Sequence, residues 1–146
     1  MKIDLHNHTN YSDGVFTPQE LLDQFKIAKE MLKCMGIFTY ERPGYEADDI
    51  LGSMSKIGAA NGLEVEIYSG DRDLLQLISP TVTVCLTKKG VSDLKVMSEE
   101  ALYEELGIKP AQITDLKGLM GDKSDNIPGV AGVGEKTAIK LLKEYG

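Results

Sequence analysis

Apolar residues recur at helical spacing between residues 17 and 35, where Leu21, Leu22, Phe25, Ala28, Met31, Leu32 and Met35 form one stripe. Thr17 suits the N-cap, Pro18 the first helical position, and Glu20 completes a capping box, while Gly36 stops the helix. The pattern then changes period. IFTYE at 37–41 reads as a strand ended by Arg42-Pro43-Gly44, and a second helix is predicted from Glu46 to Ala60, stopped by Asn61-Gly62. Residues 64–69 (EVEIYS) and 81–87 (TVTVCLT) read as strands on either side of a short helix over 71–78. A further strand near 93–97 is expected to pair as an edge hairpin. From Ser98 the chain turns helical, over 98–106, 110–120 and 134–145. The order β-α-β-α-β with short loops predicts an α/β core on a parallel sheet with right-handed crossovers.

A length of 146 residues fits one ordinary domain or two small ones. With 42% hydrophobic and 27% charged residues the composition excludes wholesale disorder. No run approaches the ~18 apolar residues of a membrane span, and the start lacks the basic-then-apolar order of a signal peptide. The two cysteines, Cys34 and Cys85, stand far apart, which excludes a disulfide scaffold or zinc ribbon and makes a reducing, cytoplasmic setting the expectation. Acidic residues outnumber basic ones 23 to 16, a net charge of −7, the wrong sign for a simple nucleic-acid-binding module. Seven carboxylates in three motifs equal that whole excess.

The first motif, Glu46-Ala47-Asp48-Asp49, lies where a strand and loop hand over to a helix; Glu46 and Asp49 share a helical face. The second, Gly70-Asp71-Arg72-Asp73, directly follows the 64–69 strand. Both are predicted at carboxyl ends of parallel strands, where open α/β sheets place their sites. The third, Gly121-Asp122-Lys123-Ser124-Asp125-Asn126, sits in the loop before the last helix. Singly, each is equally well read as a helix cap or a partner for the helix dipole. Gathered on one edge, they would repel by about 4 kcal/mol per close pair at an effective dielectric near 20. Such a cluster calls for neutralising cations, and oxygen-only ligands select hard metals such as Mg²⁺ or Mn²⁺. Two such ions ~4 Å apart serve phosphodiester hydrolysis.

The stretch Ile127 to Ala138 (IPGVAGVGEKTA) joins two predicted helices through a glycine-rich hairpin. Gly129, Gly132 and Gly134 allow close backbone approach, and amide groups at a helix start can hold a phosphate without reading a base. Lys136, Lys140 and Lys143 could add phosphate contacts, with a tight turn and solvated lysine face as the plain alternative. The arrangement resembles the helix–hairpin–helix of DNA-backbone binders.

Taken together, PGYEADDILG, SGDRDLLQL, TKKGVSD, DLKGLMGDKSDNIPGVAGVGEKTA and LLKEYG stand in the order and spacing of a known family. From about Thr17 to Gly146 the chain resembles the 5′-nuclease (5′-3′ exonuclease) domain of bacterial DNA polymerase I, within the flap-endonuclease superfamily. The resemblance implies a PIN-like or Rossmann-like α/β nuclease core over 17–97 and a helical region with the helix–hairpin–helix over 98–146. It implies hydrolysis at DNA 5′ ends, on a 5′ flap or nicked duplex, with two Mg²⁺ or Mn²⁺ ions, and a polymerase domain in a parent chain. By motif, Glu46, Asp48, Asp49, Asp71, Asp73, Asp122 and Asp125 would be metal carboxylates, with Asp49, Asp71 and Asp73 closest to the chemistry. Gly129, Gly132, Gly134, Lys136, Thr137 and Lys140 would contact DNA, and the family's hairpin also holds a monovalent cation such as K⁺.

Residues 1–16 depart from that pattern. The family's opening strand with its early aspartate, and its arch with basic residues, have no counterpart in MKIDLHNHTNYSDGVF. That segment resembles instead the opening of a phosphoesterase of the polymerase-and-histidinol-phosphatase type, His6 and His8 alternating onto one strand face. With two histidines in all, the full site of that family cannot be built. Strand-like residues 2–6 could fill the missing strand's place. Without the arch residues, the expectation is weak catalysis or none. The alternatives are a catalytically inactive DNA-binding module and, less favoured, a phosphoesterase acting on small esters.

Overall fold

The computed structural model describes residues 15–87 and 93–146. It divides into two compact units, one up to Ile50 and one from Leu51 to Gly146. The first contains helix α1 (Pro18–Cys34) and the first turn of helix α2 (Ala47–Ala60). Thr17 caps α1 as expected. Its hydroxyl oxygen accepts from Glu20 N–H at 3.3 Å, and Glu20 Oε2 accepts from Thr17 N–H at 2.9 Å. The apolar stripe of α1 is only partly covered. Leu21, Phe25, Ala28 and Leu32 are half-buried, Leu22, Met31 and Met35 exposed, and no α1 residue is fully buried.

The predicted strand at 37–41 is not formed. Residues 37–42 have no regular structure, and Phe38 is 95% exposed. Strand-like composition does not suffice, because a strand's backbone groups need a ladder partner, and the described residues supply none for this segment.

The second unit is built on a three-stranded sheet of order β1 (Val65–Ser69), β2 (Val82–Thr87), β3 (Leu94–Met97). β1 and β2 run parallel, with Ile67 opposite Val84, while β3 pairs antiparallel to β2, with Met97 opposite Val84. β3 is thus the expected edge strand, set antiparallel beside a parallel pair. As the middle strand β2 is covered on both faces, and Val82, Val84, Cys85 and Leu86 are all buried. The remainder of α2 lies close to β1: a Cβ added at Gly58 would come within 2.7 Å of Val65 Cγ2.

Between β1 and β2 the predicted short helix is a 3-10 turn, Arg72–Leu77, which drives Leu74 and Leu75 into the core. Helix α3 (Glu99–Leu106) is capped by Ser98 and ended by Gly107 at φ 68°. The expected helix over 110–120 divides. Pro110–Gln112 forms a 3-10 turn, and helix α4 (Ile113–Met120) follows. Helix α5 (Glu135–Tyr145) packs against α4, burying Ala138 and Leu142. These elements share one apolar core that includes Leu74, Val84, Met97, Leu102, Ile108 and Leu116. Among the described residues no helix is long and apolar enough to cross a membrane.

Candidate metal centre and nucleic-acid interface

Three of the seven singled-out carboxylates converge. One oxygen each of Asp73, Asp122 and Asp125 lies within 4.8 Å of the other two. Asp73 comes from the turn that follows β1, whereas Asp122 and Asp125 come from the loop after α4. A parallel strand's carboxyl end thus meets a segment some fifty residues further along the chain, where α/β sheets place sites.

Local hydrogen bonds explain how each side chain is held. Asp71 N–H donates to the buried Ser69 hydroxyl oxygen at 3.1 Å, and Asp71 Oδ1 accepts from Asp73 N–H at 2.8 Å. Asp71 therefore caps the 3-10 turn and fixes the backbone of Asp73. It stands outside the three-carboxylate group. Asp122 opens a four-residue loop closed by Asp122 N–H to Ile127 O at 2.9 Å and Ile127 N–H to Asp122 O at 2.8 Å. Ser124 donates to Asp122 Oδ1 from its N–H, at 2.8 Å, and from its hydroxyl. Asn126 completes the loop at φ 55°, a left-handed conformation that asparagine tolerates.

The remaining partner was not foreseen from the sequence. Lys117 Nζ, from α4, stands 2.5 Å from Asp73 Oδ1 and also pairs with Asp122 Oδ2. Asp73 Oδ1 is itself buried and receives no properly directed hydrogen bond, so the lysine is an ionic neighbour to it. Burial works against the charge on Lys117, but the hydrogen bond to Asp122 and the attraction of both carboxylates outweigh it and raise its pKa. Hydrogen bonds, from Lys117 first and then Ser124, hold the Asp122 carboxyl well below the usual carboxylate range. In sequence, Lys117 passes for an ordinary basic residue in the last turn of a helix. Only the fold brings it to both aspartates.

The donor set fits a hard divalent cation. Three carboxylate oxygens are close enough to share one ion, and the Asp73 carboxylate also carries a buried oxygen without a directed partner. The other three carboxylates belong to the first unit. Asp49 Oδ2 accepts from Glu46 N–H at 3.1 Å, which caps the start of α2; Asp48 is half-buried and Glu46 exposed.

The glycine-rich stretch forms a hairpin between α4 and α5. Its base is welded to the acidic loop: Val130 N–H donates to Leu119 O at 2.8 Å, and a Cβ at Gly129 would lie 2.3 Å from Met120 C and 2.4 Å from Gly121 N. At the tip Val133 N–H donates to Val130 O at 3.0 Å, and Gly132 takes φ 78° with nothing within 4 Å of a Cβ there. Gly134 is the N-cap of α5 and offers no side-chain cap to the helix amides. Lys136, Thr137 and Lys140 lie exposed on α5. The expected helix–hairpin–helix outline is present.

The profile of the 5′-3′ exonuclease N-terminal resolvase-like domain matches residues 13–107, and that of the 5′-3′ exonuclease C-terminal SAM fold matches 108–146. The chain belongs to the 5′-3′ exonuclease family. Among its relatives, DNA polymerase I of Bacillus caldotenax is 55% identical over 130 residues, covering 89% of this chain and 15% of that protein. A 5′-3′ exonuclease of Bacillus subtilis is 48% identical over 128 residues, covering 88% of this chain and 43% of its own. The chain thus spans less than half the length of either relative. In fold it is similar to the bacteriophage T5 flap endonuclease, solved as a pseudo-enzyme-product complex with DNA and metal ions. That match has a TM-score of 0.74 and 27% identity, covering 93% of this chain and 50% of that one. The phosphoesterase likeness of residues 1–16 finds no support, and the exonuclease match begins inside that segment, at residue 13. His6, His8 and residues 2–6 lie outside the described residues.

Proposed function

We propose that this chain is the 5′-end-processing part of a nuclease of the DNA polymerase I type, hydrolysing phosphodiester bonds at DNA 5′ flaps or nicks with Mg²⁺ or Mn²⁺. The observation that carries the reading is the convergence of Asp73, Asp122 and Asp125 on a loop continuous with a helix–hairpin–helix. Asp73 and Asp122 would hold the metal, with Asp125 as the exposed third ligand; Asp71 would keep Asp73 oriented. When bound, divalent ions would polarise the scissile phosphate and activate water for in-line attack.

The chain's own residues would then do the positioning. The bare start of α5 behind Gly134 would take a backbone phosphate on its amides, and Lys136, Thr137 and Lys140 would add contacts that depend on charge rather than base identity. Gly132 leaves the hairpin tip clear for a strand and for a monovalent cation such as K⁺. A polymerase domain in a parent chain and a cytoplasmic setting follow from the same reading.

Cleavage of a 5′-labelled flap DNA tests it, with Mg²⁺, Mn²⁺ or chelator, and with Asp73→Asn as control. Metal-dependent cleavage lost in the variant is the expected result. Salt-sensitive binding without cleavage would reduce the chain to a DNA-binding module.

A further inference from the structure

Two ionised aspartates from distant segments repel at this separation, by about 4 kcal/mol at an effective dielectric near 20, unless a cation offsets them. In this structure that cation is the Lys117 ammonium, which touches Asp73 Oδ1 and Asp122 Oδ2 together. Both carboxylates belong to the group in which one oxygen each of Asp73, Asp122 and Asp125 is already gathered. We propose that Lys117 is a resident counter-cation which holds the cluster assembled until a divalent ion displaces its ammonium from between Asp73 and Asp122.

Three features support a displaceable group rather than a fixed strut. The ammonium approaches Asp73 Oδ1 outside hydrogen-bond direction, so that contact is charge attraction, which a doubly charged ion makes more strongly. Its side chain keeps 28% of its surface exposed, leaving a route outward on a flexible four-carbon stem. The residue following it, Gly118, has nothing within 4 Å of where a Cβ would stand. Once displaced, the lysine would stand beside the ions as a cation free to meet a substrate phosphate. The inference rests on the metal-dependent reading above.

Melting and Mn²⁺ titration of the whole chain test it without any activity readout. Lys117→Met removes the charge and keeps the bulk. In chelator it should melt below the wild type, and saturating Mn²⁺ should close most of that gap. By calorimetry its Mn²⁺ dissociation constant should be about tenfold lower than the wild type's, because nothing must be displaced. A variant that binds Mn²⁺ no more tightly than wild type, or whose melting deficit persists with metal, overturns the proposal. Should the variant not fold, the wild type still decides. Reductive methylation of Lys117, followed by mass spectrometry, should rise several-fold on adding Mg²⁺, and unchanged labelling overturns the proposal. Wild-type chain that takes up neither metal overturns both this inference and the metal-dependent reading, whereas metal uptake without the lysine effects overturns the inference alone.

Discussion

The acidic loop and the glycine hairpin lie next to each other in sequence and are built on opposite principles. Asp122 is surrounded by partners: Lys117 on one oxygen and Ser124 on the other, in a loop closed by two backbone hydrogen bonds. The hairpin that follows is defined by what it lacks, with glycine at 129, 132 and 134 and no side-chain cap on α5. One region concentrates charge that only a cation relieves; the other bares backbone amides that suit an anion. On the function proposed above, metal and phosphate chemistry would thereby be kept on separate atoms of a single connected segment. The weld between them is backbone against backbone, at Gly121 and Gly129.

Breaking that weld should have the largest effect, because it removes the comparison altogether. Gly121 takes φ 76°, and a Cβ there would lie 2.4 Å from Gly129 N and 2.7 Å from Ile127 O. Neither backbone neighbour can rotate away. Gly121→Ala should cost about 3 kcal/mol or more in urea unfolding, and should weaken Mn²⁺ and DNA binding together. A variant that lost only one of the two would show the regions to be independent.

Separating the regions chemically comes next. Asp73→Asn should lower Mn²⁺ affinity by more than about 100-fold and abolish flap cleavage, with DNA affinity in chelator little changed. Calorimetry and gel-shift measurements on the same preparation check it. Loss of DNA binding in that variant would mean that the acidic loop shapes the hairpin through more than the glycine contact.

Much of this division was legible in the sequence, for a physical reason. Capping boxes, glycine stops and apolar spacing are local, so α1, α2, α3 and α5 stand within a residue or so of their expected bounds. The acidic motifs were legible because each lies at an element's end, the first at the start of α2, the second after β1 and the third after α4. Non-local partners were not. IFTYE at 37–41 has strand composition, yet pairing is a property of a neighbour that the segment does not encode. Lys117 illustrates the same limit at the site, since nothing within DLKGLMGD indicates that its ammonium will meet Asp73, forty-four residues earlier. Whether a carboxylate serves as a cap or as a ligand was also undecidable locally. Asp71 and Asp49 are used as caps, while Asp73 and Asp122 are gathered with Asp125.

A gentler probe acts on the hairpin side alone. Lys136→Ala and Lys140→Ala should each reduce the slope of log affinity against log salt by about 1, and weaken binding equally for unrelated DNA sequences. Mn²⁺ affinity should stay unchanged, since both side chains are exposed on α5, outside the three-carboxylate group. A sequence-dependent loss would mean that α5 reads bases, contrary to a backbone-only role.

The smallest expected effect is a pH dependence that belongs to the acidic side only. Lys117 and Ser124 stabilise the ionised form of Asp122, so its pKa in the folded chain lies below that of the unfolded chain, roughly 4. The stability from that difference is present above about pH 4, and is lost as pH falls through the depressed folded value. Lys117 has the opposite sign. Its raised pKa contributes below about pH 10 and is lost only as pH rises through the folded value, so it adds no slope in acid. Urea unfolding in chelator should therefore show the gap between wild type and Asp122→Asn shrinking from pH 6 towards pH 2. Lys123→Ala, whose side chain lies on the exposed loop, should track the wild type throughout. A constant gap across that range would mean that what asparagine lacks at this position is not the carboxylate's charge.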